Sequence, residues 1–123
     1  MKHKKQYYEL LVRNVEWNTS RNLTKSSLNW DLETDMLMSE LKELVDADTE
    51  VDKLDALEDL KFLINGAQSK MGLSPEQIVE CTEAVVTANE QKPTSTDLSG
   101  KIIKPVDFVG PEPKLQEILN NRI

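Results

Sequence analysis

Cysteine occurs once, at Cys81, and histidine once, at His3, in a chain of 123 residues. A single thiol excludes an internal disulfide, and one of each cannot build a zinc centre of the usual nitrogen and sulfur donors. No apolar run approaches the roughly 20 residues that span a bilayer. "MKHKKQYY" at the start has none of the apolar stretch that marks a signal peptide. Bases are outnumbered, 15 against 22 acids, leaving a net charge of −7. That sign disfavours nonspecific binding to nucleic acid, where the phosphate backbone rewards positive charge. Strand-like alternation is scarce, and no internal repeat is visible. The expectation is a cytoplasmic, all-α chain with no nucleic-acid or membrane partner, whose metal chemistry is confined to hard oxygen ligands.

Apolar spacing predicts helices through most of what remains. "QYYELLVRNVEW" reads as a short first helix, followed by a polar loop over residues 18–29. A second helix is predicted from Trp30 to Ala47 and, after the turn "DADTE", a third from Val51 to Lys70, with Gly72 as its stop. In "SPEQ", Ser74 suits a cap, Pro75 the first helical position and Gln77 a capping box, so a fourth helix should run from Pro75 to Glu90. Beyond Pro93 the chain turns irregular, with one short helix in "PKLQEILNN". The expected architecture is a four-helix bundle-like core of antiparallel helices with an irregular C-terminal tail. It forms one domain over 1–123, divided into an N-terminal helix and loop (1–35), a metal-binding helical core (36–92) and an extended tail (93–123).

The unusual feature is where the acids fall. With Asp55 set at zero on a helical wheel, Asp59 stands at about 40° and Asp52 at about 60°, inside the arc that holds Ala56, Leu60, Phe62, Leu63 and Ala67. On the second helix Glu40 lies between Met36 and Leu44, with Glu43 just beyond Met36, while Lys42, Asp35 and Asp46 take the opposite surface. Helices joined by a short turn are usually antiparallel neighbours, so the two acidic stripes are expected to face each other. Two carboxylates about 5 Å apart repel by roughly 3 kcal/mol at an effective dielectric near 20. Protonation, cationic partners or metal relieve such crowding, yet Lys42, Lys53 and Lys61 point away. Oxygen-only ligands favour magnesium, manganese or calcium. An acidic run on helices is more often a solvated face; the interleaving with leucine is what argues for a metal site here.

"ELKE" (Glu40, Glu43) followed by "DKLDALEDLKFLINGAQSKMGL" resembles the MazG-like all-α nucleoside triphosphate pyrophosphohydrolases, particularly the small single-domain and phage-type members. Their pattern is ExxE, then an acidic ExxD element on the next helix, here with Asp52 in place of the first Glu. A further aspartate and the glycines at Gly66 and Gly72 also match. "TANEQK" resembles the family's Asn-x-x-Lys segment at Asn89 and Lys92, and "GKIIKPVDFVGPEPKLQEIL" its tail, with Lys101 and Lys104 in corresponding places. The likeness extends over residues 36 to 119.

The resemblance implies magnesium-dependent hydrolysis of nucleoside triphosphates, deoxynucleotides foremost, to the monophosphate and pyrophosphate. Mg2+, or Mn2+ in its place, would be held by Glu40, Glu43, Asp55 and Asp59, with Asp52 as a further candidate. These four carboxylates are also the candidate catalytic set, Glu43 being the nominee for proton acceptor. Asn89, Lys92, Lys101 and Lys104 would contact substrate. Trp17 is a candidate for stacking on the base; Trp30 and Cys81 read as core, and "HKK" around His3 as a solubilising, mobile run. The family assembles as dimers or tetramers, and a homodimer or homotetramer is the corresponding expectation. Two other readings stay open: phosphoribosyl-ATP pyrophosphohydrolase, and a non-catalytic acidic helical module that binds a basic partner.

Overall fold

The structure is a computed structural model and describes residues 2–123. It is all-α, with helices α1 (Lys2–Thr19), α2 (Trp30–Asp46), α3 (Glu50–Lys70), α4 (Pro75–Glu90) and α5 (Glu112–Asn120), and a 3-10 turn at Lys25–Ser27. No strand forms among the described residues; a lone antiparallel bridge joins Thr96 and Ile102. None of the helices is long and apolar enough to cross a membrane among the described residues. The chain resolves into two compact units, one ending at Pro75 and the other running from Glu76 to Ile123.

The helix ends in the first unit follow from local chemistry. Asn29 caps α2, its side chain accepting from the Leu32 N–H at 3.3 Å. Thr49 caps α3 by accepting from the Asp52 N–H at 3.1 Å, satisfying one of the donors a helix start leaves open. At the other end of α3, Gly72 takes φ 91°. Its N–H reaches the Ser69 carbonyl and the Leu73 N–H reaches Gln68, the paired closure of a Schellman motif.

α1 is longer than its apolar pattern predicts, taking in the polar residues at both ends and placing His3 exposed on the helix and not in a loose terminus. The expected loop therefore begins only at Ser20. Lys, Gln and Glu are good helix formers, and a second Schellman closure ends the helix: Leu23 N–H to Asn18 O at 2.9 Å and Asn22 N–H to Thr19 O at 3.1 Å. Here Asn22, at φ 59°, occupies the left-handed position where glycine is usual. Asn22→Gly should accordingly leave the melting temperature unchanged or slightly higher, whereas Asn22→Val should cost about 1–2 kcal/mol. Thermal unfolding of the two variants checks both.

α1 and α2 each pack on α3. Asn14 and Asn18, one turn apart on α1, donate to the Phe62 and Gly66 carbonyls of α3 at 3.4 and 3.1 Å. Gly66 permits this approach, because a Cβ there would sit 3.0 Å from the Asn18 Nδ2. Leu11, Ala56 and Ala67 are buried among the apolar residues of this unit. So are two charged side chains, Glu33 of α2 and Lys70 of α3, at 3% and 5% exposure, which form an ion pair.

In the second unit Ile78, Ala88 and Ile118 are buried. The Gln77 side chain donates to the Asn121 carbonyl at 3.2 Å, tying α4 to the end of α5.

Candidate functional site

α2 and α3 bring three of the five singled-out acids together. One carboxylate oxygen from each of Glu40, Glu43 and Asp59 lies within 4.8 Å of the others. Glu40 and Asp59 are half-buried and Glu43 is exposed. Within the half-buried Glu40, Oε2 is out of reach of solvent and has no hydrogen-bond partner among the described residues. The adjoining Glu43 carboxyl, partial burial and the charges of Glu43, Asp59 and Asp55 together raise the Glu40 pKa above the ordinary carboxylate value.

Asp55 and Asp52 do not sit in the buried arc that their azimuth predicts; both are exposed. The strip of α3 that α1 and α2 cover is narrower than the wheel's apolar arc. Ala56, Gly66 and Ala67 are buried, whereas Leu57, Phe62 and Ile64 stay largely open. Asp55 still acts on Glu40 through its charge. Asp52 lies in the first turn of α3 at the Thr49 cap, where a carboxylate complements the helix dipole.

Trp17 stands at the edge of a cleft of about 790 Å³ between α1 and α3. Its ring meets Phe62 edge-on, centroids 5.1 Å apart at 78°, and the Arg21 guanidinium lies 4.3 Å from the indole centroid. Asn65 of α3 donates to Asn14 Oδ1 at 3.2 Å, continuing the amide chain that Asn14 makes with Phe62. The pair Asn14 and Asn65 was not anticipated; the signal available was a polar residue at helical spacing on an otherwise apolar face. Trp30 is exposed, contrary to its reading as core, and Cys81 is half-buried. Burial and the nearby Glu80 charge push the Cys81 thiol's pKa up, as expected of an inert side chain.

The remaining candidates belong to the second unit. Asn89, on α4, donates to the Val85 carbonyl at 2.9 Å. Lys92 and Lys104 each place Nζ 5.2 Å from the Phe108 ring centroid. Lys101 is exposed, its backbone N–H bonded to the Asp97 carboxylate at 3.1 Å. Phe108 carried no signal in the sequence beyond its place in the tail.

No family model matches the chain, and no curated protein or solved structure is detectably similar to it.

Proposed function

We propose that the chain is a magnesium-dependent pyrophosphohydrolase of the MazG-like all-α kind, converting nucleoside triphosphates, chiefly deoxynucleotides, to the monophosphate and pyrophosphate in the upkeep of a cytoplasmic nucleotide pool. The observation that carries this reading is the convergence of Glu40, Glu43 and Asp59 around a buried carboxylate oxygen that has no hydrogen-bond partner among the described residues. An orphaned, crowded, oxygen-only donor set suits a hard divalent cation. Glu40, Glu43 and Asp59 would hold it, with Asp55 adding charge at slightly longer range. Magnesium, when bound, neutralises phosphate oxygens and makes water a better nucleophile.

The chain's own residues have separate tasks in this scheme. Attack by water at the α-phosphorus breaks the bond to the bridging oxygen and releases pyrophosphate. Glu43, exposed beside Glu40, would be the carboxylate to accept the water's proton. In the first unit Trp17, at the rim of its cleft, is the candidate to meet a base; in the second, Lys92, Lys104, Lys101 and Asn89 are the candidates to meet a phosphate.

The proposal includes a four-helix bundle-like core and assembly as a homodimer or homotetramer. Support comes from the outer face of α2, where Met38, Leu41 and Val45 follow helical spacing and are 66%, 51% and 73% exposed; a stripe of this kind suits a second copy. The exposure of Glu43, Asp52 and Asp55 favours one competing reading, an acidic module that binds a basic partner. Incubation with mixed ribo- and deoxynucleoside triphosphates and magnesium separates the two. Monophosphate and pyrophosphate should appear in equal amounts, stop with EDTA and resume with added magnesium. Absence of turnover for every triphosphate would leave the binding module standing instead.

A further inference from the structure

Resting on the assignment of Lys92 and Lys104 to phosphate, we propose that the two form a single clasp for a phosphoanhydride anion, with Phe108 as the residue that positions both ammonium groups. Three local elements of the second unit build it. Lys92 follows the end of α4, its N–H closing on Asn89 O at 3.0 Å. The chain then folds back on itself as a small hairpin. Asp97 N–H bonds Lys101 O at 2.8 Å, Ile103 N–H bonds Ser95 O at 3.0 Å, and Gly100 takes φ 87° in the turn. This return sets Lys104 beside the chain that leaves α4. A tight turn follows, Phe108 N–H to Pro105 O at 3.1 Å, and delivers the ring to both lysines.

The charge arrangement points to an anion. Neither Lys92 nor Lys104 is in an ion pair among the described residues, in a chain with 22 acids. Asp97, the acid inside the hairpin, is committed elsewhere. Its Oδ1 accepts from the Ser99 hydroxyl and from the N–H groups of Ser99 and Lys101, and these bonds hold its pKa below the usual carboxylate range. Each ammonium has three N–H donors, and a ring face engages a cation without accepting those protons into directed hydrogen bonds. Both Nζ atoms lie 5.2 Å from one centroid, so they are no more than twice that distance apart, and this is the gap that the proposed phosphate chain would bridge. Lysine serves phosphate as a point charge with movable donors, so what the site needs from the protein is that both charges stay put. The ring supplies that.

The test is titration of the full chain with inorganic pyrophosphate in EDTA, followed by calorimetry. Wild type should bind, and Phe108→Leu should weaken binding about five- to tenfold with helical content unchanged. Phe108→Tyr and Phe108→Trp should restore it, because they return the ring face, whereas a residue that only packs the tail would be replaced adequately by leucine. Lys92→Met and Lys104→Met should each weaken binding as well. Equal affinity in wild type and Phe108→Leu, or no binding by wild type, overturns the clasp. The outcome is separable from the hydrolase reading. Ring-dependent binding of pyrophosphate without triphosphate turnover would sink the hydrolase and keep the clasp, and turnover with ring-independent binding would do the reverse.

Discussion

Lys70→Met is expected to destabilise the fold by about 3–5 kcal/mol, the range for leaving one member of a buried ion pair unmatched. Glu33 would then be an uncompensated carboxylate at 3% exposure. That is a large part of the roughly 5–15 kcal/mol by which domains are commonly stable. Replacing both members, Glu33→Leu with Lys70→Met, should recover most of the loss, since an apolar pair of similar volume often equals or exceeds a buried salt bridge. Urea unfolding gives the comparison through the transition midpoint at constant slope. A single-variant loss below about 1 kcal/mol would mean that water screens the pair after all, as it does for surface ion pairs.

The pair also shows how far helical azimuth carries a sequence reading. Glu33 lies about 20° from Glu40 on the α2 wheel, and Lys70 lies about 60° from Asp55 on that of α3. Both belong to the inward stripes that the acids define, and a count that weighs only Lys42, Lys53 and Lys61 misses Lys70, which points in. At the Glu33 end of the helix pair the protein supplies its own cation. At the Glu40 end it supplies none within ion-pair distance among the described residues. Two ends of one acidic seam are thus treated differently, and the unmatched end is where the proposed cation would sit.

The helices were legible from apolar spacing and from the local stop at Gly72; the caps at Asn29 and Thr49, which act within three residues of the starts they set, went unread in a polar loop and a turn. The end of α1 was not legible, because Asn22 does what glycine does elsewhere without looking like it. Azimuth correctly pairs Glu40 with Asp59, but it carries no information about the width of the covered strip. Asp52 and Asp55 pass the angular test and remain exposed. The contacts of Asn14 and Asn18 with the α3 carbonyls, each spanning 48 residues, and the meeting of two lysines on Phe108 depend on how separate segments pack. No periodicity within one segment encodes them.

Glu40→Gln is expected to reduce pyrophosphate release by about a hundredfold or more, the scale on which a divalent cation stabilises charge in phosphoryl transfer. The same change should make the metal-free protein more stable at neutral pH. Both signs come from one carboxylate. Its pKa is raised above the ordinary 4.5 by the Glu43 carboxyl, by burial and by the charges of Glu43, Asp59 and Asp55. Where the folded pKa exceeds the unfolded one, the native state binds more protons between the two values. Stability therefore falls as pH rises through that window and stays reduced above it. In EDTA the melting temperature of Glu40→Gln should exceed that of wild type at pH 7, and the gap should close as pH is lowered toward 4.5. Magnesium should raise the wild-type melting temperature through binding to the native state alone and do so much less for the variant. A lower melting temperature for Glu40→Gln in EDTA would show that the carboxylate is already well satisfied, leaving no electrostatic reason for an ion to bind there.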